Sequence, residues 1–126
     1  MNKIRTRTDE ISIDEHGIIH KKIIEGAHID LPELQEAEEA AAKLTKEEKF
    51  LILVDARALH TMTPEAVKEL KVSLDTKRIA AAVVSSGLGM RILIDYLANV
   101  EKTVAPIKIF GTKEEAVEWL LTFKKR

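Results

Sequence analysis

Apolar and polar residues alternate near the start of the chain in the stretch ISIDEHGIIHKKII, which begins at Ile11. Two runs rich in isoleucine flank the turn residues Asp-Glu-His-Gly, and this pattern is typical of a β-hairpin. The residues before it are mostly polar, so we expect a flexible N-terminus over residues 1–9. The rest of the chain is predicted to form one domain over residues 10–124.

Two uninterrupted apolar runs follow, and each is typical of a strand buried on both faces of a parallel sheet. They read FLILVD, from Phe50 to Asp55, and IAAAVV, from Ile79 to Val84. We expect these strands to lie side by side and parallel, with their carboxyl ends at a common edge of the sheet. A shorter run, IKIF, follows Pro106 and predicts another strand.

Helical periodicity fills the segments between these strands, and capping residues mark where the helices begin. The capping signals are Asp30 with Glu33, Thr63 before a proline, and Thr112 with Glu115. A further helix is predicted after Gly89, ending near Val100. The predicted order is ββαβαβαβα, which indicates an α/β fold with a mostly parallel sheet of four or five strands, an N-terminal antiparallel hairpin and four helices.

Composition excludes several functional classes. The chain has no cysteine, which removes disulfides, thiolate zinc sites and cysteine nucleophiles, and its four histidines lack ligand spacing, so we expect neither a metal nor a cofactor. Its net charge is −1 and only 4% of its residues are aromatic, which argues against nucleic-acid binding. No apolar run is long enough for a transmembrane segment and no signal peptide is visible, so we expect a cytoplasmic protein.

The order of three motifs resembles the SpoIIAA-like branch of the STAS superfamily over about residues 10–123. The motifs are FLILVDAR, KRIAAAVVSSGLGMRILIDYL and IKIFGTKEEAVEWL. The resemblance implies a sheet of four or five strands with helices packed against it. It also implies a protein partner, because anti-sigma antagonists of this superfamily bind a kinase. They are phosphorylated on Ser or Thr at the start of the helix after the central strand, in the motif Asp-Ser-Ser-Gly-Leu-Gly.

Candidate phosphosites follow from that motif, but the match is displaced. Ser85 and Ser86 begin the matching letters Ser-Ser-Gly-Leu-Gly one βα unit later in the chain than the family's site, and Val84 replaces the preceding acid. Thr63 stands at the expected topological place instead. The alternative interpretation is structural: a serine caps the following helix, and Gly87 and Gly89 permit a sharp turn.

The carboxyl ends of the two buried strands predict the candidate binding site. Asp55, Arg57, His60, Thr63, Ser85, Ser86, Gly87 and Gly89 are expected at this edge, where open α/β sheets place their ligands. The glycine pair opens a helix and favours a small anion, although Ile92 replaces the third glycine of a dinucleotide site. Asp55, His60 and a serine suggest a hydrolase, but the nucleophile-elbow motif is absent, and a pairing of Asp55 with Arg57 is the simpler expectation.

The helix after Gly89 is apolar on more than one side, which is typical of a deeply buried helix or of one that meets a partner. We predict a homodimer interface that includes Met90, Ile92 and Tyr96. Two alternatives are a small apolar ligand beneath the helix and complete coverage by neighbouring helices.

Taken together, these features favour a non-catalytic interaction or regulatory domain, SpoIIAA/STAS-like, that binds an unidentified protein partner and forms a homodimer. The alternative is a carrier of a small apolar or anionic ligand, for which we expect an enclosed cavity of at least about 300 Å³. A hydrolytic enzyme ranks last because no catalytic motif is present.

Overall fold

The computed structural model describes residues 3–46 and 48–124. Its strands are β1 Lys3–Arg5, β2 Asp9–Ile13, β3 Ile19–Ile23, β4 Ala27–Ile29, β5 Phe50–Asp55, β6 His60–Met62, β7 Arg78–Val84 and β8 Ile107–Phe110. Its helices are α1 Leu31–Thr45, α2 Pro64–Thr76, α3 Leu88–Asp95 and α4 Lys113–Leu121, and α3 continues as a π-helical segment, Tyr96–Glu101.

The main sheet contains six strands in the order β1-β2-β3-β5-β7-β8. The first three strands are antiparallel, whereas β3, β5, β7 and β8 run parallel to one another. Leu53 on β5 lies opposite Ala82 on β7 in a parallel register. The predicted fold class, a mostly parallel sheet with an N-terminal antiparallel hairpin and four helices, is therefore confirmed.

The strand count differs from the predicted four or five because three very short strands escaped the sequence pattern. β1 lies inside the segment that was expected to be flexible, residues 1–9, and it pairs with β2. The nearby side chains of Thr8 and Asp9 are buried. Residues 1 and 2 lie outside the described residues. β4 and β6 pair in parallel as a separate two-stranded sheet. Each of these strands has three residues, which is too short to show an alternation of apolar and polar positions.

Helices cover the two faces of the sheet unequally. Alternate residues of the central strands point to opposite faces, as strand geometry requires. Ile52 and Val83 pack in the larger core beneath α1, α2 and α3, whereas Leu53 and Ala82 pack in the smaller core against α4. No helix in the described part of the chain combines the length and apolar composition needed to cross a membrane.

The predicted helix starts are confirmed for three of the four helices. Asp30 and Glu33 form a reciprocal capping box at α1, in which the carboxylate of Asp30 accepts from the backbone and the carboxylate of Glu33 accepts from the Asp30 amide. The side chains of Thr63 and Thr112 accept from backbone amides in the first turns of α2 and α4. These caps fix where the loops end at the rim of the sheet.

Candidate functional site

An open cleft of about 480 Å³ lies where β5 and β7 end, beside the start of α3. We call it the rim cleft. Six of the eight predicted site residues line it: Arg57, His60, Ser85, Ser86, Gly87 and Gly89. The cleft lies beyond the carboxyl ends of the parallel strands β5 and β7 and is lined by the segments that follow them. Asp55 and Thr63 are not among its lining residues.

Asp55 supports the rim cleft from behind by holding Arg57. Its carboxylate accepts from Arg57 Nε at 2.9 Å and from Nη2 at 2.8 Å, which is a bidentate pair. The Asp55 side chain is 6% exposed, whereas that of Arg57 is 53% exposed. The hydrogen bonds from Arg57 lower the pKa of Asp55, and the charge of Lys113, 4.0 Å away, acts in the same direction. Arg57 is thus anchored on one side and open on the other.

The first turn of α3 presents backbone N–H groups without a capping side chain. Gly87 occupies the N-cap position, and Ser85 Oγ accepts from the Gly87 amide at 3.2 Å instead of capping the helix. The prediction that Ser85 or Ser86 caps this helix is therefore wrong. An uncapped helix start carries partial positive charge, which favours an anion in the adjoining space.

The two glycines of the rim cleft adopt backbone conformations open to other residues. Gly87 has φ −77°, and neither Gly87 nor Gly89 has a positive φ. A Cβ atom at Gly89 would meet no heavy atom within 4 Å. The backbone at these two positions therefore does not require glycine. What a glycine does provide at this position is open space within the cleft.

The side chains of His60 and Ser85 are hydrogen-bonded to backbone groups rather than to each other. His60 Nδ1 lies 2.8 Å from the carbonyl oxygen of Ala58, and Asp55 is committed to Arg57. No hydrogen bond among the described residues joins Asp55, His60 and a serine into a triad. The described residues also include no group of three His, Asp or Glu side chains suited to a metal ion.

Thr63 lies between two helix starts rather than in the rim cleft. Its hydroxyl donates to Asp30 Oδ1 at 2.7 Å and accepts from the amide of Ala66 at 3.2 Å. The hydrogen bond from Thr63 lowers the pKa of Asp30. Of the three candidate phosphosites, Ser86 is exposed, Ser85 is buried and Thr63 is half-buried, so Ser86 is the most accessible to a modifying enzyme.

The predicted interface residues divide between two sides of α3. Ile92 and Tyr96 are exposed, whereas Met90 is half-buried and lines the rim cleft. Leu88 and Val100, which were not among the predicted interface residues, are 72% and 65% exposed. Their signal was present in the sequence, because Leu88, Ile92, Tyr96 and Val100 recur every four residues.

A second, partly enclosed space lies next to the rim cleft between the sheet and helices α2 and α3. Its volume is about 50 Å³, and most of its lining is apolar, with Lys21 and Arg78 among the polar exceptions. This volume is well below the value of about 300 Å³ that we set for a carrier of a small apolar molecule.

Comparison with known proteins supports the fold. The model of a family described as a domain of unknown function, DUF7793, matches residues 11–124. No curated protein matches the chain. A crystal structure of an uncharacterized protein from the DUF3478 family, with a SpoIIAA-like fold, from Shewanella loihica PV-4, matches with a TM-score of 0.63. It is 16% identical, and the alignment covers 94% of this chain and 90% of that one. The fold is SpoIIAA-like, as the sequence resemblance implied.

Proposed function

Because this chain belongs to the DUF7793 family, a domain of unknown function, we propose a function from its own geometry: it is a non-catalytic interaction domain that binds an acidic segment of a protein partner in the rim cleft. The observation that carries this proposal is the convergence of Arg57 with the uncapped start of α3 on one open cleft.

The charges around the rim cleft favour an anionic group. No Asp or Glu side chain lines the cleft within the part of the chain that the structure describes, whereas Arg57 and His60 both do. The Nε and Nη2 atoms of Arg57 are used by Asp55, and these bonds fix the guanidinium while it remains half-exposed. A fixed guanidinium loses less side-chain entropy when it binds a carboxylate or phosphate.

The apolar part of the cleft wall favours a peptide over a bare ion. Leu59 is 79% exposed at the cleft, and Met90 and Leu93 are half-buried beside it. Such side chains gain free energy when they bury apolar groups of a ligand. A partner segment with an acidic residue next to an apolar one would use both parts of the wall.

A small anionic molecule is the second candidate, and the cleft volume supports it. The value of about 480 Å³ falls within the range of about 300–1,000 Å³ that is usual for small-molecule sites. Both candidate ligands carry an anionic group, and they differ in whether that group belongs to a protein segment or to a small molecule.

A photo-crosslinker at Ser86 tests the proposal directly, because this exposed residue lines the cleft. We expect irradiation in the native host to yield one discrete protein adduct, and Arg57→Gln to reduce it several-fold. The same crosslinker at Val72, an exposed position on α2, is the matched control and should give no such adduct.

Native mass spectrometry of the unmodified protein covers the second candidate. A bound small anion that is lost in Arg57→Gln would favour a small-ligand site over a protein partner. If neither an adduct nor a bound anion depends on Arg57, the rim cleft is not the binding site and the proposal fails. Circular dichroism of Arg57→Gln confirms that the variant is folded.

A further inference from the structure

Four large apolar side chains form an exposed row along α3 and its π-helical continuation. They are Leu88, Ile92, Tyr96 and Val100, with exposures of 72%, 60%, 45% and 65%, and we call them the α3 stripe. The opposite side of the same segment is packed in the larger core through the buried residues Ile94 and Leu97. The stripe residues therefore do not contribute to the core of this chain, and an exposed apolar row of this kind marks an interaction surface.

Charged residues beside the α3 stripe indicate which partner fits it. Arg91 and Asp95 are both exposed, and each directly precedes a stripe residue. Neither forms a salt bridge within the described part of the chain. One cation near the start of the helix and one anion a turn later complement a second copy that runs in the opposite direction. A partner surface of uniform charge, including an anionic membrane, would meet one of them unfavourably.

From this arrangement we infer that the α3 stripe is the interface of a homodimer, in which two α3 helices pack antiparallel about a two-fold axis. The axis passes between Ile92 and Tyr96 and brings Arg91 of each copy beside Asp95 of the partner subunit. A two-fold interface is isologous, so the same pairing forms twice. Burial of the four stripe side chains on each copy supplies the apolar core of the contact.

The antiparallel arrangement has a consequence for the rim cleft. Leu88 lies between Gly87 and Gly89, which line the cleft, and the two-fold axis brings the partner's Val100 towards it. The end of one stripe would therefore extend the wall of the other copy's cleft. The dimer itself does not depend on what the cleft binds, so its test is separate from the test of the proposed function.

Sedimentation equilibrium over a range of concentrations tests the interface. We expect the wild-type chain to be a dimer and Ile92→Asp to raise the dimer Kd by at least about tenfold, because a buried, unpaired carboxylate opposes association. Val72→Asp is the matched control: Val72 is 51% exposed on α2, outside the stripe, and its replacement should leave the Kd unchanged. Circular dichroism of both variants confirms that they are folded.

Charge reversal tests the antiparallel geometry. Arg91→Asp and Asp95→Arg should each raise the Kd several-fold, because each places like charges together across the axis. The double variant R91D/D95R restores both pairs and should return the Kd close to the wild-type value.

Three results would overturn the inference. They are a wild-type monomer at all concentrations, an equal loss of dimer in Val72→Asp, and a double charge reversal that remains as weak as the single ones. A wild-type monomer that co-sediments with phosphatidylglycerol vesicles, and loses this binding in Ile92→Asp, would assign the stripe to a lipid surface instead.

Discussion

Asp55, at the end of strand β5, shows how a single buried residue can hold a neighbouring cationic side chain in position. It is buried at the end of β5, so its carboxylate needs partners. Arg57, two residues further along, supplies three N–H donors: two from its guanidinium and one from its backbone. The carboxylate in turn fixes the guanidinium at the rim cleft. The stability of this pair and the orientation of the cation are therefore two effects of one contact.

The pH dependence of stability should reveal the Asp55–Arg57 pair. Because the pKa of Asp55 is lowered in the folded protein, its carboxylate adds stability above the unfolded pKa, near 3.8, and loses it as the pH falls through the folded pKa. At neutral pH we expect Asp55→Asn to lower the free energy of unfolding by about 1–2 kcal/mol, since the pair is half-exposed on the arginine side. Urea titrations should show the two proteins converging in acid; a constant difference at all pH values would contradict this account.

The substitution Gly89→Ala adds one methyl group and should have opposite effects on the stability of the fold and on binding in the rim cleft. Its backbone conformation is open to alanine, and the added Cβ meets no neighbour within 4 Å. We expect Gly89→Ala to raise the free energy of unfolding by about 0.4–1 kcal/mol, because the unfolded chain loses conformational freedom. The same variant should weaken Arg57-dependent capture, since the methyl group enters the rim cleft. Lower stability on urea unfolding would show that the glycine is required by the backbone.

Most of the candidate site was predictable from sequence because parallel strands end at one edge. Arg57, His60 and the serines follow strands whose apolar runs were unmistakable, and they do meet at the cleft. The caps of α3 were not predictable in the same way. Whether Ser85 reaches the helix or bonds back to Gly87 depends on about one residue of loop geometry, which the sequence pattern does not resolve.

Among the elements, long runs were predicted well and three-residue strands were not. β5 and β7 have six and seven residues, and their apolar runs identify them as central. β4 and β6 are held mainly by pairing with each other, in a two-stranded sheet. This pairing joins segments that are more than thirty residues apart in sequence, so the local pattern of apolar and polar residues does not predict it.

One buried ion pair connects helix α1 to the start of strand β7, and its contribution to stability can be measured. Arg78 Nη2 donates to Glu38 Oε2 at 2.7 Å, and the two side chains are 5% and 11% exposed. The guanidinium also lies over the Phe50 ring, 4.4 Å from its centroid. Removing one member of such a pair leaves the other charge buried without compensation.

A double-mutant cycle should expose this coupling. We expect Arg78→Met to lower the free energy of unfolding by about 3 kcal/mol, because Glu38 loses its partner. The double variant R78M/E38L should cost less than Arg78→Met alone, since no isolated charge remains. Urea unfolding of the wild type, both single variants and the double variant supplies the four free energies. Strictly additive losses would show that the two side chains act independently.

In the whole molecule, the main six-stranded sheet has a hydrophobic core on each face, and the two cores differ in size. Three helices cover one face, and on the other face α4 covers only the parallel strands. The uncovered part of that face is polar: Lys3 and Arg5 on β1 pair there with Glu10 on β2. An antiparallel extension with one solvated face is a usual arrangement, and it explains why one helix suffices.

The two cores should behave as one cooperative unit, because β5 and β7 contribute alternate residues to both. Leu120 of α4 is fully buried in the smaller core, so Leu120→Ala should lower the free energy of unfolding by about 3 kcal/mol through lost burial and a residual cavity. Leu59→Ala makes the same change at a site that is 79% exposed and should cost less than about 0.5 kcal/mol. Detachment of α4 alone would leave Leu53 and Ala82 against water, which disfavours a partly unfolded state. Fluorescence of Trp119 on α4 and far-ultraviolet circular dichroism should therefore report the same single urea transition in both variants. A separate loss of the Trp119 signal at lower urea concentration would show instead that α4 unfolds independently of the sheet.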